Sequence, residues 1–347
     1  MKYAAALSEI QTERRTVGFD TYDITIRQLV DMVEEKAIHI SPDYQRKFVW
    51  DAVRQSQLIE SIYLGIPVPN LFMATNEDST WDVIDGLQRI TTILRFVSPM
   101  LSSIEGETVP ALRLKGLEKT PSLNGATFED LPSNLKLNFM TRPMRITVLN
   151  DNSDFQVRFD LFERLNTGGI VLHEQEIRNC VFQGPFNDFL KNCAMNVDFT
   201  SVIRRSDKTG RGNVEELALK FFAYLEDRES FKHSVKDFLN EYMEKKAEKF
   251  ANKQELQQIF SQTFSAIHAA LPQGIVRSNR PNSTPLVLFE AITVGVADML
   301  RSDLQIDAKK LNDLLDDEQL KGLTTGATNS PPKLYARIDF VSENAHQ

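Results

Sequence analysis

Asp85, Gly86, Gln88 and Arg89 stand where the apolar spacing of the chain changes from that of a strand to that of a helix. Val83 and Ile84 read as the buried end of a short strand, and Ile90, Ile93, Leu94 and Val97 recur at helical spacing. A helix beginning here leaves backbone N–H groups unpaired and carries positive partial charge on its first turn, which suits an anion. Gly86 lets the backbone approach a ligand without an intervening side chain. Arg89 supplies a planar fork of donors, and Thr91 and Thr92 supply hydroxyls in the first turns. Asp85 has the wrong sign for a phosphate but suits a ribose hydroxyl or a magnesium ion. The alternative is a tight turn followed by a capped helix that binds nothing.

Two further clusters offer related chemistry. Tyr44, Gln45 and Arg46, in PDYQRKFVW, lie in an extended segment before a helix. There an arginine can grip a phosphate bidentately, and Tyr44 or Trp50 can stack on a base. A surface segment anchored by its aromatics is the alternative. In LFERLNTGGIVLHEQEIRN, Glu163 and Asn166 are three apart at a helix end, so their oxygens can converge on magnesium. Asn166, Gly168 and Gly169 then make a turn whose N–H groups can face an anion. An Asn-Gly helix cap beside a solvated glutamate explains the same residues without a ligand.

Arg204, Arg205, Lys208 and Arg211 form a basic stretch, and Arg277 and Arg280 lie in a second. Loops that present arginine among Ser, Thr and Asn suit a nucleic-acid backbone, although ordinary solvated loops have the same composition. A nuclease centre is harder to find. His39, His173, His233, His268 and His346 fall in no paired ligand spacing. Glu244 and Lys246, with Asp237 upstream, echo a metal-dependent nuclease triplet, but a helix rich in Lys and Glu produces it readily.

The elements that must position these groups follow from periodicity and caps. Thr25 with Gln28 predicts a capping box opening a helix over 26–38. Pro42 holds Ser41 extended. Asp51 caps a second helix that Gly65 stops. NLFMAT and WDVID read as two strands of a hairpin. Residues 98–143 carry four prolines and read as irregular structure with short strands, followed by a strand in MRITVLN. Ser153 caps a helix over 154–166. Beyond about 172 helices are expected almost throughout, at 173–183, 185–193, 213–227, 231–246, 252–270, 284–301 and 307–316. The expected division is an α/β domain over 1–180 and an all-helical domain over 181–347.

The balance of 41% hydrophobic and 25% charged residues is that of a soluble globular protein. Two cysteines, Cys180 and Cys193, are too few for a disulfide framework or a four-thiolate zinc site, which suggests a reduced, cytoplasmic setting. The opening MKYAAALSEIQTERR lacks the apolar core of a signal peptide, and no stretch approaches the roughly 18 apolar residues of a membrane span. A formal charge of −8 argues against nucleic-acid binding over the whole surface but leaves room for a local basic patch.

Taken in order, PDYQRKFVW, LIESIYLGIPVPNLFM, VIDGLQRITTILRF and FERLNTGGIVLHEQEIRN resemble the GmrSD-type family, also called the domain of unknown function 262 family. The resemblance runs from about residue 20 to about residue 195 and implies a ParB/sulfiredoxin-like fold. It implies binding and hydrolysis of a nucleoside triphosphate with Mg²⁺, and control of a nuclease, in phage-defence or modification-dependent restriction systems. By this likeness Gly86, Gln88 and Arg89 correspond to the phosphate loop, and Glu163 and Asn166 to the magnesium position. Gln88 would orient water or the terminal phosphate, and Asp85 would steer ribose or metal. Arg89 and Arg46 would clamp phosphate, so that Arg89→Ala is expected to abolish nucleotide binding with the fold intact. Leu87 stands where the family pattern Asp-Gly-Gln-Gln-Arg has its first glutamine, which bears on hydrolysis more than on binding. There is no Gly-x4-Gly-Lys-Ser/Thr loop. The expected partners are a nucleotide, DNA and a nuclease on a separate polypeptide, with self-association open. The competing readings are a non-enzymatic DNA-binding or interaction module and a stand-alone endonuclease.

Overall fold

The computed structural model describes residues 6, 18–40, 50–76, 78–102, 109–150, 159–161, 163–164, 173–204 and 211–347, with side chains from 214 onward in the last range. The chain divides into two compact units, Met1–Val171 and Leu172–Gln347.

The first unit is built on a five-stranded mixed sheet of order β1-β5-β3-β4-β2. Its strands are β1 (Phe19–Thr25), β2 (Ile38–His39), β3 (Leu71–Thr75), β4 (Trp81–Asp85) and β5 (Pro143–Leu149). β3 and β4 form the expected antiparallel hairpin, while β3 runs parallel to β5 and β2 parallel to β4. Four helices accompany the sheet: α1 (Ile26–Glu34), α2 (Ala52–Leu64), α3 (Leu87–Val97) and α4 (Ser133–Met140). Ile26 and Leu29 of α1, Ile59 and Ile62 of α2, and Ile90, Ile93 and Leu94 of α3 join Leu71, Met73 and Ile146 of the sheet in one core.

The local signals act as their chemistry requires. The Thr25 hydroxyl accepts from the Gln28 amide at 3.2 Å, and the Gln28 side chain accepts from the Thr25 N–H at 2.8 Å. Asp51 accepts from the N–H groups of Val53 and Arg54, both at 2.8 Å, and Gly65 closes α2 in the left-handed region. α1 is shorter than its periodicity predicts. It stops at Glu34 because Lys36 turns to φ 60° and Ile38 is drawn into the sheet beside Trp81.

Two regions differ from expectation. The strand β1 pairs antiparallel with β5 from Phe19↔Leu149 to Thr25↔Pro143, yet most of its side chains are exposed, so it shows no apolar alternation. Over 98–143 the described residues hold two short 3₁₀ turns and α4 in place of short strands. Side chains of α2 organise that region. Buried Glu60 accepts from the Lys119 and Thr120 N–H groups at 3.1 and 2.8 Å, and Ser56 accepts from the Lys115 N–H at 3.0 Å. Ser153 lies outside the described residues.

In the second unit the described elements are helices, with one 3₁₀ turn at Arg228–Ser230 and two isolated bridges. They are α5 (Glu174–Val181), α6 (Pro185–Ala194), α7 (Val197–Ser201), α8 (Arg211–Asp227), α9 (Val235–Glu248), α10 (Lys253–Ala270), α11 (Leu286–Arg301), α12 (Ala308–Leu314), α13 (Glu318–Thr324) and α14 (Pro331–Asn344). α5 falls in this unit although the sequence boundary was set at 180. Its Arg178 is fully buried and donates to Asn240 of α9 at 2.8 Å and to Glu216 of α8 at 3.3 Å. α11 and α14 approach so closely that a Cβ on Gly295 would stand 2.8 Å from Val341. α7, α13 and α14 are absent from the expected set. Pro331 starts α14, since Pro at the first helical position costs no hydrogen bond.

Candidate functional site

The turn from β4 into α3 depends on Gly86 twice over. Its φ of 110° is a conformation that side-chain-bearing residues rarely adopt, and a Cβ there would lie 2.3 Å from Leu71 Cδ2. Gly86 is also the N-cap of α3 and offers no side chain to it, so the first-turn N–H groups lack a side-chain cap. Leu87 packs against the core.

Arg89 is turned inward. It is 9% exposed, pairs with Asp85 at 2.7 Å, and donates through Nη1 to the carbonyls of Pro69 and Asn70, the latter at 3.0 Å. Burial presses the guanidinium pKa downward, and the adjacent Asp85 carboxylate opposes that shift. Asp85 and Arg89 therefore brace the strand-to-helix turn against the segment leading into β3. That segment also forms one wall of a cleft of about 410 Å³, lined by Pro67, Val68 and Asn70 together with Asp23, Arg142 and Arg145.

Gln88 reaches the other way. Its side-chain oxygen accepts from the Trp50 N–H at 3.2 Å, and Gln55 donates to the Trp50 carbonyl at 2.7 Å. Trp50, the last residue of PDYQRKFVW, is thus fastened to the DGLQR turn. Arg54 lies over the Trp50 ring at 4.7 Å and adds an exposed cation that sequence reasoning missed. The i, i+4 spacing of Trp50 and Arg54 across the helix start was the available signal.

The hydroxyls behave differently from expectation. Thr91 and Thr92 are buried, and the Thr92 hydroxyl donates to the Gln88 carbonyl at 2.6 Å. Glu163 is exposed on a helical stretch. Tyr44, Gln45, Arg46, Asn166, Gly168 and Gly169 lie outside the described residues, as do Arg205 and Lys208. Arg211 opens α8. Arg204 is tied down, its guanidinium donating to the carbonyls of Ser201 and Pro272. Among the described residues no group of three or more His, Cys, Asp or Glu gathers as a metal site. Among them, too, no helix is long and apolar enough to cross a membrane.

Comparison with known families adds one match. Residues 26–183 fit the family described as GmrSD restriction endonuclease, N-terminal domain. Over these residues the chain is similar to that family. The matched stretch holds the DGLQR turn, the Trp50 segment and the Glu163 helix, and it ends just past α5 of the second unit. Similarity to the GmrSD N-terminal family suggests a component of a restriction system. Searches of curated proteins and of solved structures returned no match.

Proposed function

We propose that the first unit is a ParB-like nucleoside-triphosphate-binding domain, and that the chain is a regulatory or sensing subunit of a phage-defence or modification-dependent restriction system. The observation carrying this reading is the start of α3. An uncapped helix N-terminus follows a glycine turn, and Gln88 couples it to Trp50, four residues beyond Arg46 in the sequence. A phosphate there would meet first-turn N–H groups and the positive end of the helix. Arg46 would serve as the cationic clamp, with Gln45 beside it and Tyr44 stacking on the base. Arg89 contributes by positioning, since its pairing with Asp85 and the two carbonyls sets the geometry of the turn. Asn166, Gly168 and Gly169 would add donors from the second loop.

Glu163, exposed on its helix, fits a magnesium ion that keeps part of its water shell, and Asn166 would be its companion ligand. The ion would neutralise charge on the phosphates. Water activation would fall to a side chain near Gln88. Because Leu87 is a core-packing residue where the family has an amide, slow hydrolysis is expected. Leu87→Gln should raise turnover several-fold in a phosphate-release assay, at a stability loss of about 1 kcal/mol from the lost packing. An unaltered or lower rate would assign position 87 to packing alone. DNA cleavage would belong to a separate polypeptide.

The reading is tested by calorimetric titration of the full chain with the four common NTPs, with and without Mg²⁺. Heat of binding for at least one Mg–NTP is expected. Its absence for all four would remove the proposal.

A further inference from the structure

The second unit holds a cleft of about 580 Å³ whose lining includes Arg277, Asn279, Arg280, Glu318, Lys321 and Thr325. Arg277 through Arg280 form a tight turn in which the Arg280 N–H donates to the Arg277 carbonyl at 2.9 Å. The two arginines then diverge in role. Arg277 is buried, and its guanidinium donates to the Leu315 carbonyl at 2.9 Å and to the Thr324 hydroxyl at 2.6 Å, so it holds the cleft together. Arg280 is exposed, and among the described residues its guanidinium has no hydrogen-bond or ion-pair partner. Lys321 stands on α13 and is held at 2.6 Å by Glu318, a carboxylate whose side chain is 86% exposed. Asn279 and Thr325 are exposed between these cations.

The same loop is bonded to the stem of the basic stretch. The Arg204 N–H donates to the Thr284 hydroxyl, and the Thr284 N–H donates to the Arg204 carbonyl, both at 2.8 Å. The Ile275 N–H donates to the Val202 carbonyl, also at 2.8 Å. Two arginine-bearing segments are therefore joined at their bases, by a pair of bonds between residues 80 apart in sequence. Carboxylates also meet this loop: the Ser278 N–H donates to Asp316, which fixes the turn that presents Arg280.

We infer that this cleft of the helical unit binds the phosphate backbone of duplex DNA, with Arg280 and Lys321 as phosphate contacts and Asn279 and Thr325 as neutral donors beside them. An unpaired guanidinium and an ammonium paired only with an exposed carboxylate can both be turned onto a polyanion at little cost. Arg280 and Lys321 stand on separate segments that line one cleft, an arrangement that suits successive phosphates of a backbone. The inference stands apart from nucleotide binding by the first unit and uses none of its residues.

The test is fluorescence anisotropy of a short labelled DNA duplex with the full chain, over a series of salt concentrations. The double variant Arg280→Glu/Lys321→Glu should weaken binding at least tenfold. Loss of two phosphate contacts should lower the log–log salt slope by roughly 1.8. Glu318→Gln releases Lys321 and should tighten binding several-fold. Both changes lie on exposed or half-exposed side chains, and Arg280→Gln/Lys321→Gln gives a neutral control that should weaken binding to an intermediate degree. No binding by the wild-type chain, or equal affinity and slope in the charge-reversed variant, would overturn the inference. So would displacement of the duplex by micromolar inorganic triphosphate, since that would make the cleft a small-anion site.

Discussion

Gly86→Ala is expected to cost the first unit about 3 kcal/mol of stability. Roughly 1–2 kcal/mol comes from holding a side-chain-bearing residue in left-handed backbone geometry. A further 1–3 kcal/mol or so comes from overpacking, because the new methyl would lie 2.3 Å from Leu71 Cδ2. Urea denaturation followed by tryptophan fluorescence reads this unit alone, since Trp50 and Trp81, the two tryptophans of the chain, both belong to it. Leu71→Ala is itself costly in the core, but in a double-mutant cycle Gly86→Ala should cost less on that background, because the steric part is relieved and the backbone part is not. A Gly86→Ala chain as stable as wild type would mean that the turn into α3 is not the one described.

Arg89→Ala should be as damaging, for a different reason. It strands the Asp85 carboxylate, whose side chain is 33% exposed, and removes the donor from the Pro69 and Asn70 carbonyls. Breaking a buried pair costs about 3–5 kcal/mol; partial exposure of Asp85 places the loss near the lower end, about 3 kcal/mol. The sequence reading, in which this variant loses nucleotide with its fold intact, therefore gives way to one in which both are lost together. Arg89→Lys should fall between, because one ammonium can reach Asp85 but cannot reproduce a planar fork on two carbonyls. Nucleotide binding retained by a fully stable Arg89→Ala chain would contradict this account of the turn.

The parts of the fold legible in the sequence were those written in short-range chemistry. Thr25, Asp51 and Gly65 marked helix ends by hydrogen bonds that their own side chains or backbone make, and the hairpin over 71–85 announced itself by strand, loop, strand. β1 was invisible because its partner is more than a hundred residues away and its faces are mostly solvated, so no alternation recorded the pairing. The residues of the DGLQR motif were legible, but not the direction of Arg89. Apolar spacing did hold a clue: Arg89, Ile93 and Phe96 share one face of α3, and that face is buried. Chemical type suggested a phosphate clamp; position on the helix says brace. The joining of the Arg204 and Arg280 segments could not be read at all, since it depends on how α7, α10 and α11 pack.

The central claim is that the first turn of α3 receives phosphate, and Gln88→Glu tests it most directly. The substitution is isosteric and keeps an oxygen to accept from the Trp50 N–H. A negative charge near a helix N-terminus is also favourable to the helix, by roughly 0.3–1 kcal/mol, so the fold should hold. The same charge would repel a bound phosphate. Calorimetric titration with the Mg–NTP that wild type binds should show affinity reduced at least tenfold in Gln88→Glu, with a melting temperature no lower than that of wild type. Equal affinity in the two chains would contradict the claim and leave the DGLQR turn a structural brace.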